Sequence, residues 1–152
     1  MSNILNTAGY GGVMSYEEKS TWVYLVACAA AYVVYLAIVL GRVGQAPVTH
    51  VSYVAVLLWT IGASIAVSIV GRILVDTAKP SDTRRSDVRD REIYRFGEYA
   101  SRWFIVAGAG AALFMAMARW DYFWIANVLY LGFALWAIVG SAVKLVAYRR
   151  GI

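Results

Sequence analysis

The residues with the clearest potential for chemistry are polar side chains inside otherwise apolar stretches. Thr60, Ser64 and Ser68 recur every four residues, and Arg72 follows at the same interval. Residues four apart lie on one face of a helix, so this spacing predicts a polar stripe. Asn127 adds an amide to a later stretch. We interpret the three hydroxyls and the amide either as the lining of a pathway or groove, or as groups bonded to their own backbone or a neighbouring helix.

A charged segment between two apolar stretches holds the second set of candidates. The spacing predicts a helix that begins near Ser86, with Glu98 at pairing distance from Arg102. The candidate interaction residues of this segment are Arg84, Arg85, Asp87, Arg89, Asp90, Arg91 and Arg95.

Two interpretations of the charged segment stay open. It could be an interfacial helix that binds anionic lipid or a cytoplasmic partner, with Ile93 and Phe96 on the side that faces the membrane. Each basic residue near an anionic leaflet then contributes about 1 kcal/mol. Alternatively, it is a solvated helix whose acids and bases pair with one another and which extends the next apolar stretch.

The sequence does not indicate an enzyme or a cofactor site. The apolar stretches contain no Asp, Glu or His, and a small proton-coupled exporter would need a carboxylate there. Cys28 is the single cysteine, so it cannot form an intrachain disulfide or supply paired zinc or iron-sulfur ligands. His50 is the single histidine, which favours a surface residue over a bis-histidine haem. We expect no catalytic residues, no metal and no cofactor.

The composition specifies the environment in which these residues are positioned. The chain has 152 residues, of which 61% are hydrophobic and 15% are charged, and its mean hydropathy is +0.62. Globular domains are about half apolar and about a quarter charged. The composition therefore excludes a disordered chain and an ordinary soluble domain, and predicts an integral membrane protein with no role in nucleic-acid binding.

Four apolar runs are long enough to cross a bilayer as helices. The predicted spans cover about residues 22–40, 51–75, 99–118 and 122–146. Short links join them into two antiparallel hairpins, and a charged cytoplasmic helix or loop, 76–98, lies between the hairpins. The predicted fold is thus an all-α polytopic membrane protein. We expect residues 16–152 to form its single domain after a flexible tail, 1–15, and translation could start at Met1 or at Met14.

Charge placement predicts the orientation of the spans. Arg72 and Lys144 lie near the ends of the second and fourth spans, from which their side chains can reach the interface. Twelve of the fourteen Lys and Arg residues lie on the side shared by both termini and the connector, and only Arg42 and Arg119 lie opposite. The positive-inside rule therefore predicts that both termini and the connector are cytoplasmic.

The connector also carries a resemblance. Asp87, Arg89, Asp90 and Ile93 match a D-x-R-D-x-x-I run before the third span, and the similarity continues through 123–127 and 144–150. On these residues the chain resembles a family of small, uncharacterised bacterial inner-membrane proteins with four helices. The resemblance covers less than half of the chain. It implies a bacterial inner membrane and a four-helix architecture, and no activity.

These observations favour a non-enzymatic membrane module as the function. We expect such a module to contact membrane lipid, to pack against itself or another membrane protein, and to present the charged connector to the cytoplasm. The alternative is a small oligomeric transporter or pore lined by the hydroxyl stripe of the second span. Flux across liposomes would distinguish the two.

Overall fold

The computed structural model describes residues 16–43, 52–77 and 88–150. The helices within these ranges are α1 (Tyr16–Val43), α2 (Val54–Thr77), α3 (Val88–Met117) and α4 (Tyr122–Arg150). Each of the four is long and apolar enough to cross a membrane. The predicted all-α fold with four spans is therefore confirmed, and the chain is a multi-pass membrane protein.

Helices α1 and α4 contain the predicted spans and extend beyond them, and the largest difference is at the start of α3. This helix begins at Val88 and continues unbroken to Met117, so residues 88–98 of the predicted connector are the first turns of the third span. The structure therefore has the extended helix that the second interpretation required. The predicted tail 1–15 and the connector residues Arg84, Arg85 and Asp87 lie outside the described residues.

The four helices do not all pack against one another. Helix α1 packs against both α2 and α4, and α3 packs mainly against α4, whereas α2 and α3 scarcely touch each other. Because consecutive helices are antiparallel, the starts of α1 and α3 and the ends of α2 and α4 lie at one end, here called the connector end. The opposite end, which holds the two short links, is called the hairpin end.

The hydrophobic core lies toward the hairpin end. Tyr35 is fully buried there with Val39 and Phe123, and Tyr53 packs edge-on against Phe123 with ring centroids 5.2 Å apart. The cluster joins the end of α1, the start of α2 and the start of α4. Aromatic rings packed edge to face stabilise a fold by more than the burial of their apolar surface alone. The cluster therefore joins three helices at the end away from the charged segment.

Small residues form the interface between α3 and α4. A methyl group on Gly108 would lie 2.9 Å from Gly132 Cα, and one on Gly140 would lie 2.8 Å from Ser101 Oγ. Ala112 is also buried on this face of α3. Side chains of this size let two helix backbones approach closely, which drives helix association in lipid.

The turn from α3 to α4 is tight. Arg119 adopts a left-handed backbone conformation with φ of 56°. Two residues later, Asp121 Oδ1 accepts a hydrogen bond of 2.8 Å from the backbone N–H of Phe123. This bond satisfies one of the free amide groups at the start of α4, as an N-terminal capping residue does. The predicted link at 119–121 is thus a compact turn that returns the chain antiparallel.

Candidate functional site

A salt bridge joins α3 to α4 near the connector end. Lys144 Nζ lies 2.9 Å from Glu98 Oε1, and the same ammonium lies 3.9 Å from the ring centroid of Tyr94. The side chains of Lys144 and Glu98 are only 13% and 28% exposed. A partly buried cation is therefore held between a carboxylate and the face of an aromatic ring, both of which favour its charge.

The glycine beside Glu98 makes room for this lysine. A methyl group on Gly97 would lie 2.5 Å from Lys144 Cγ and 3.0 Å from the carbonyl oxygen of Gly140. Cβ atoms do not approach other heavy atoms so closely in well-packed proteins. The missing side chain at position 97 therefore lets the lysine stem pass along the surface of α3 and reach Glu98.

The structure differs here from two sequence expectations. Lys144 does not extend freely to the membrane interface, because its ammonium is bonded to Glu98 inside the α3–α4 pair. Glu98 in turn bonds to Lys144 and not to Arg102, whose side chain is exposed. The antiparallel packing of α3 on α4 brings the two charges together, although they are far apart in sequence.

A cavity of about 390 Å³ lies next to the salt bridge, and we call it the charged cavity. All four helices line it, so it occupies the space left where α2 and α3 fail to meet. Each helix contributes one charged side chain to the lining, namely Glu17 from α1, Arg72 from α2, Glu98 from α3 and Lys144 from α4. The formal charge of the described lining residues is therefore balanced.

Among the described residues of this lining, Arg72 is the cation for which no hydrogen bond or ion pair is found. Its side chain is exposed, and its guanidinium makes no hydrogen bond or ion pair with any residue that the structure describes. The Lys144 ammonium, by contrast, is engaged by Glu98 and Tyr94. An incoming anionic group would therefore find the available donors on Arg72.

A second, apolar cavity of about 370 Å³ continues from the charged cavity toward the hairpin end, and we call it the apolar groove. The two cavities share the lining residues Tyr24, Trp136 and Ala137. Further along, Ile61 and Ile65 of α2 form one wall of the groove, and residues of α1 and α4 complete it. A polar space and an apolar space are thus joined along the same side of the bundle.

The predicted hydroxyl stripe of α2 bonds mainly to its own helix. The Thr60 hydroxyl donates to the carbonyl oxygen of Val56 over 2.9 Å, and those of Ser64 and Ser68 donate to carbonyl oxygens three and four residues earlier. The three side chains also meet different surroundings. Thr60 is buried, Ser64 lines the apolar groove and Ser68 lines the charged cavity.

Asn127 lies away from the charged cavity, in the core at the hairpin end. Its Oδ1 accepts a hydrogen bond of 2.8 Å from the Tyr35 hydroxyl, and its Nδ2 donates to the carbonyl oxygen of Phe123. Tyr130, whose ring packs edge-on against Tyr35, donates to Thr60 Oγ1 over 3.4 Å. The four candidate lining residues are therefore not brought to one surface, and Asn127 and Thr60 tie α1, α2 and α4 together.

The described residues of the charged segment occupy the first turns of α3. Arg89 lies in the first turn, Arg91 and Arg95 are exposed, and Asp90 is partly buried. The structure places Ile93 and Phe96 in different surroundings, contrary to the expectation that both face the membrane. Ile93 is 3% exposed and Phe96 is 58% exposed. Ile93 faces the inside of the bundle, so this segment is packed into the fold on one side.

The structure also places the potential metal ligands and the cysteine. Within residues 16–43, 52–77 and 88–150, no three His, Cys, Asp or Glu side chains come together as a ligand set. Cys28 is a partly buried free thiol on α1 and lines the apolar groove. His50 lies outside the described residues.

The contact between Glu98 and Lys144 and the cavity beside it were not predicted from the sequence.

The resemblance to small bacterial four-helix proteins stays a prediction. Comparisons with protein-family models, with curated proteins and with solved structures found no match.

Proposed function

We propose that this protein is a non-enzymatic membrane module that packs against a second copy of itself. Its polar groups support the non-enzymatic part of this proposal, because they are bonded to one another or to the backbone of their own helix. Glu98 and Lys144 join α3 to α4, and the α2 hydroxyls are bonded to their own helix. A reactive site requires a nucleophile, a base or a metal site placed together. The carboxylate, the ammonium and the hydroxyls named here are instead engaged in contacts within the bundle.

Helix α2 offers the surface for self-association. It packs substantially against α1 only, and its outward face carries Gly62 and Ala66 between the exposed side chains of Trp59 and Val70. A methyl group on Gly62 would meet nothing within 4 Å. A small residue flanked by large ones on an outward face allows a second helix to approach closely, as in other membrane helix pairs.

The oligomeric state of the full chain tests this proposal, and Gly62→Leu is the informative variant. We expect the wild-type protein, extracted from membranes in mild detergent, to have at least twice the protomer mass in native mass spectrometry. Gly62→Leu should shift most of the population to the single protomer, because the added side chain keeps α2 helices apart. The site is open, so the fold itself has room for the leucine.

Gly110→Leu is the matched control for Gly62→Leu. Gly110 also lies inside a helix, on α3, and a methyl group there would meet nothing within 4 Å. We expect this variant to assemble like the wild type. A wild-type protein that is a lone protomer, or assembly that is lost in Gly110→Leu and retained in Gly62→Leu, would contradict the proposal.

We retain an oligomeric transporter or pore as the second candidate. One observation favours it, since Ser68 of the hydroxyl stripe lines the charged cavity beside Arg72. Solute or ion flux in liposomes that is abolished by Ser68→Ala would support transport. Sealed liposomes that stay inert at the same protein density would support the module.

We also propose a bacterial cytoplasmic membrane as the location, with the connector end in the cytoplasm. The charge count supports this orientation, since twelve of fourteen basic residues belong to the connector end by sequence. The aromatic contact of Arg149 with Trp22, 5.6 Å from the ring centroid, joins α4 to α1 at that end. In this orientation the charged cavity opens near the cytoplasmic leaflet.

A further inference from the structure

We propose that the charged cavity and the apolar groove together bind one zwitterionic phospholipid, with its phosphodiester at Arg72 and one acyl chain in the groove. The observation behind this proposal is the direct continuity of a polar space and an apolar space along one side of the bundle. An amphiphile has the same division between a polar head and an apolar chain. The proposal goes beyond self-association and does not depend on it.

The phosphodiester is assigned to Arg72 because this cation lacks a protein partner among the described residues. A guanidinium presents a planar fork of donors that matches two phosphate oxygens. It also lies near one end of α2, where a membrane protein meets the headgroup region. Lys144 is held by Glu98 and contributes less to the binding of a second anion.

The balance of charges among the described lining residues favours a zwitterion over a simple anion. Glu98 is compensated by Lys144, which leaves the carboxylate of Glu17 as the counterpart of Arg72 across the cavity lining. A doubly charged phosphate would be repelled by Glu17, whereas a headgroup that carries both a phosphodiester and an ammonium matches Arg72 and Glu17. Phosphatidylethanolamine has this chemistry.

The acyl chain is assigned to the apolar groove because its walls are suited to hydrocarbon. Ile61, Ile65 and Phe133 are among its lining residues, and the Ser64 hydroxyl donates to its own helix and not into the groove. Apolar cavities of this kind stay dry and accept apolar ligands. The groove runs between α2 and α4, which make few close contacts with each other, so a chain from the bilayer can enter it between these two helices.

Native mass spectrometry of the full-length, delipidated protein tests the proposal. Phosphatidylethanolamine, phosphatidylglycerol, diacylglycerol and glycerophosphoethanolamine, the headgroup without chains, would each be titrated. We expect phosphatidylethanolamine to bind most tightly with a stoichiometry of one per protomer. Diacylglycerol and the chainless headgroup should each bind at least about tenfold more weakly, since each lacks one half of the recognised structure.

Two variants separate the two halves of the site. Arg72→Gln should weaken phosphatidylethanolamine binding at least about tenfold, because charge-assisted hydrogen bonds to phosphate are lost. Ser64→Leu should weaken it by narrowing the groove, while leaving the chainless headgroup unaffected. Arg102→Gln and Ala55→Leu, on exposed surfaces of α3 and α2, are the matched controls and should bind like the wild type.

The selectivity for a zwitterion depends on Glu17. Glu17→Gln should remove the preference for phosphatidylethanolamine over phosphatidylglycerol.

Equal losses of binding in Arg72→Gln and Arg102→Gln, or equal binding of phosphatidylethanolamine and diacylglycerol, would overturn the proposal. Equal thermal unfolding midpoints of the variants and the wild type establish that a loss of binding is not a loss of fold. Self-association is measured separately, by the mass of the intact protein. A failure of the lipid proposal can therefore be distinguished from a failure of the self-association proposal.

Discussion

Replacing Lys144 by methionine is expected to lower the free energy of unfolding by about 2–4 kcal/mol, because the Glu98 carboxylate is left without its partner in a partly buried site. Fully buried pairs lose about 3–5 kcal/mol on this kind of change, and the 28% exposure of Glu98 reduces the loss. Reversible unfolding in mixed micelles, followed by helical circular dichroism, would measure it.

The double variant Glu98→Gln/Lys144→Met gives the decisive comparison. It removes both charges at once, so its loss should be smaller than that of Lys144→Met alone, with a coupling of about 1–3 kcal/mol between the two sites. Arg102→Gln is the control, since the sequence pairs Arg102 with Glu98 and the structure exposes it. We expect a change within about 0.5 kcal/mol there. Strictly additive losses at 98 and 144 would show that the salt bridge does not form.

Gly108→Leu is expected to destabilise the protein by about 3 kcal/mol or more, because overpacking a close helix contact forces the backbones apart. A methyl group added to Gly108 would lie 2.9 Å from Gly132 Cα. A methyl group added to Gly132 would lie 3.1 Å from the carbonyl oxygen of Phe104. Both obstacles are backbone atoms, which cannot move aside as a flexible side chain does. The same unfolding measurement applies.

Gly110→Leu provides the comparison within the same helix. A methyl group on Gly110 meets nothing within 4 Å, so leucine there points away from α4. Leucine also favours a helix over glycine by roughly 1 kcal/mol, so this variant should be as stable as the wild type or slightly more stable. If Gly108→Leu and Gly110→Leu behaved alike, α3 and α4 would not pack through the small-residue face described above.

The helices and their order along the chain could be predicted from the sequence, because a bilayer requires long apolar helices. The runs at 22–40 and 122–146 fall inside α1 and α4, and the link at 119–121 is the observed turn. The start of α3 was ambiguous, since charged residues at the connector fit either a surface helix or an extension of the span.

The faces that pack together could not be predicted from hydropathy. Trp59 is 79% exposed and Tyr35 is fully buried, although both lie in apolar runs. Lipid is as apolar as a protein core, so apolar periodicity does not distinguish an outward face from a buried one. The position of α2 at the open side of the bundle, and the cavity that follows from it, therefore required the structure.

The salt bridge had a signal that was available in the sequence. Counting back along α3 and forward along α4 by similar distances from the turn at 119–121 places Glu98 about level with Lys144. Gly97 and Gly140 lie at about the same height in the hairpin as these two residues. The expected pairing of Glu98 with Arg102 joins neighbours on one helix, whereas the observed contact with Lys144 crosses the α3–α4 hairpin.

The side of the membrane on which the connector end lies can be measured by cysteine labelling. In a Cys28→Ala background, single cysteines at Arg89 and Arg119 would be exposed to a membrane-impermeant maleimide on intact cells. We predict labelling of Arg119→Cys in intact cells, and labelling of Arg89→Cys only after the membrane is permeabilised. Labelling of Arg89→Cys from outside intact cells would contradict the orientation, and with it the placement of the charged cavity at the cytoplasmic leaflet.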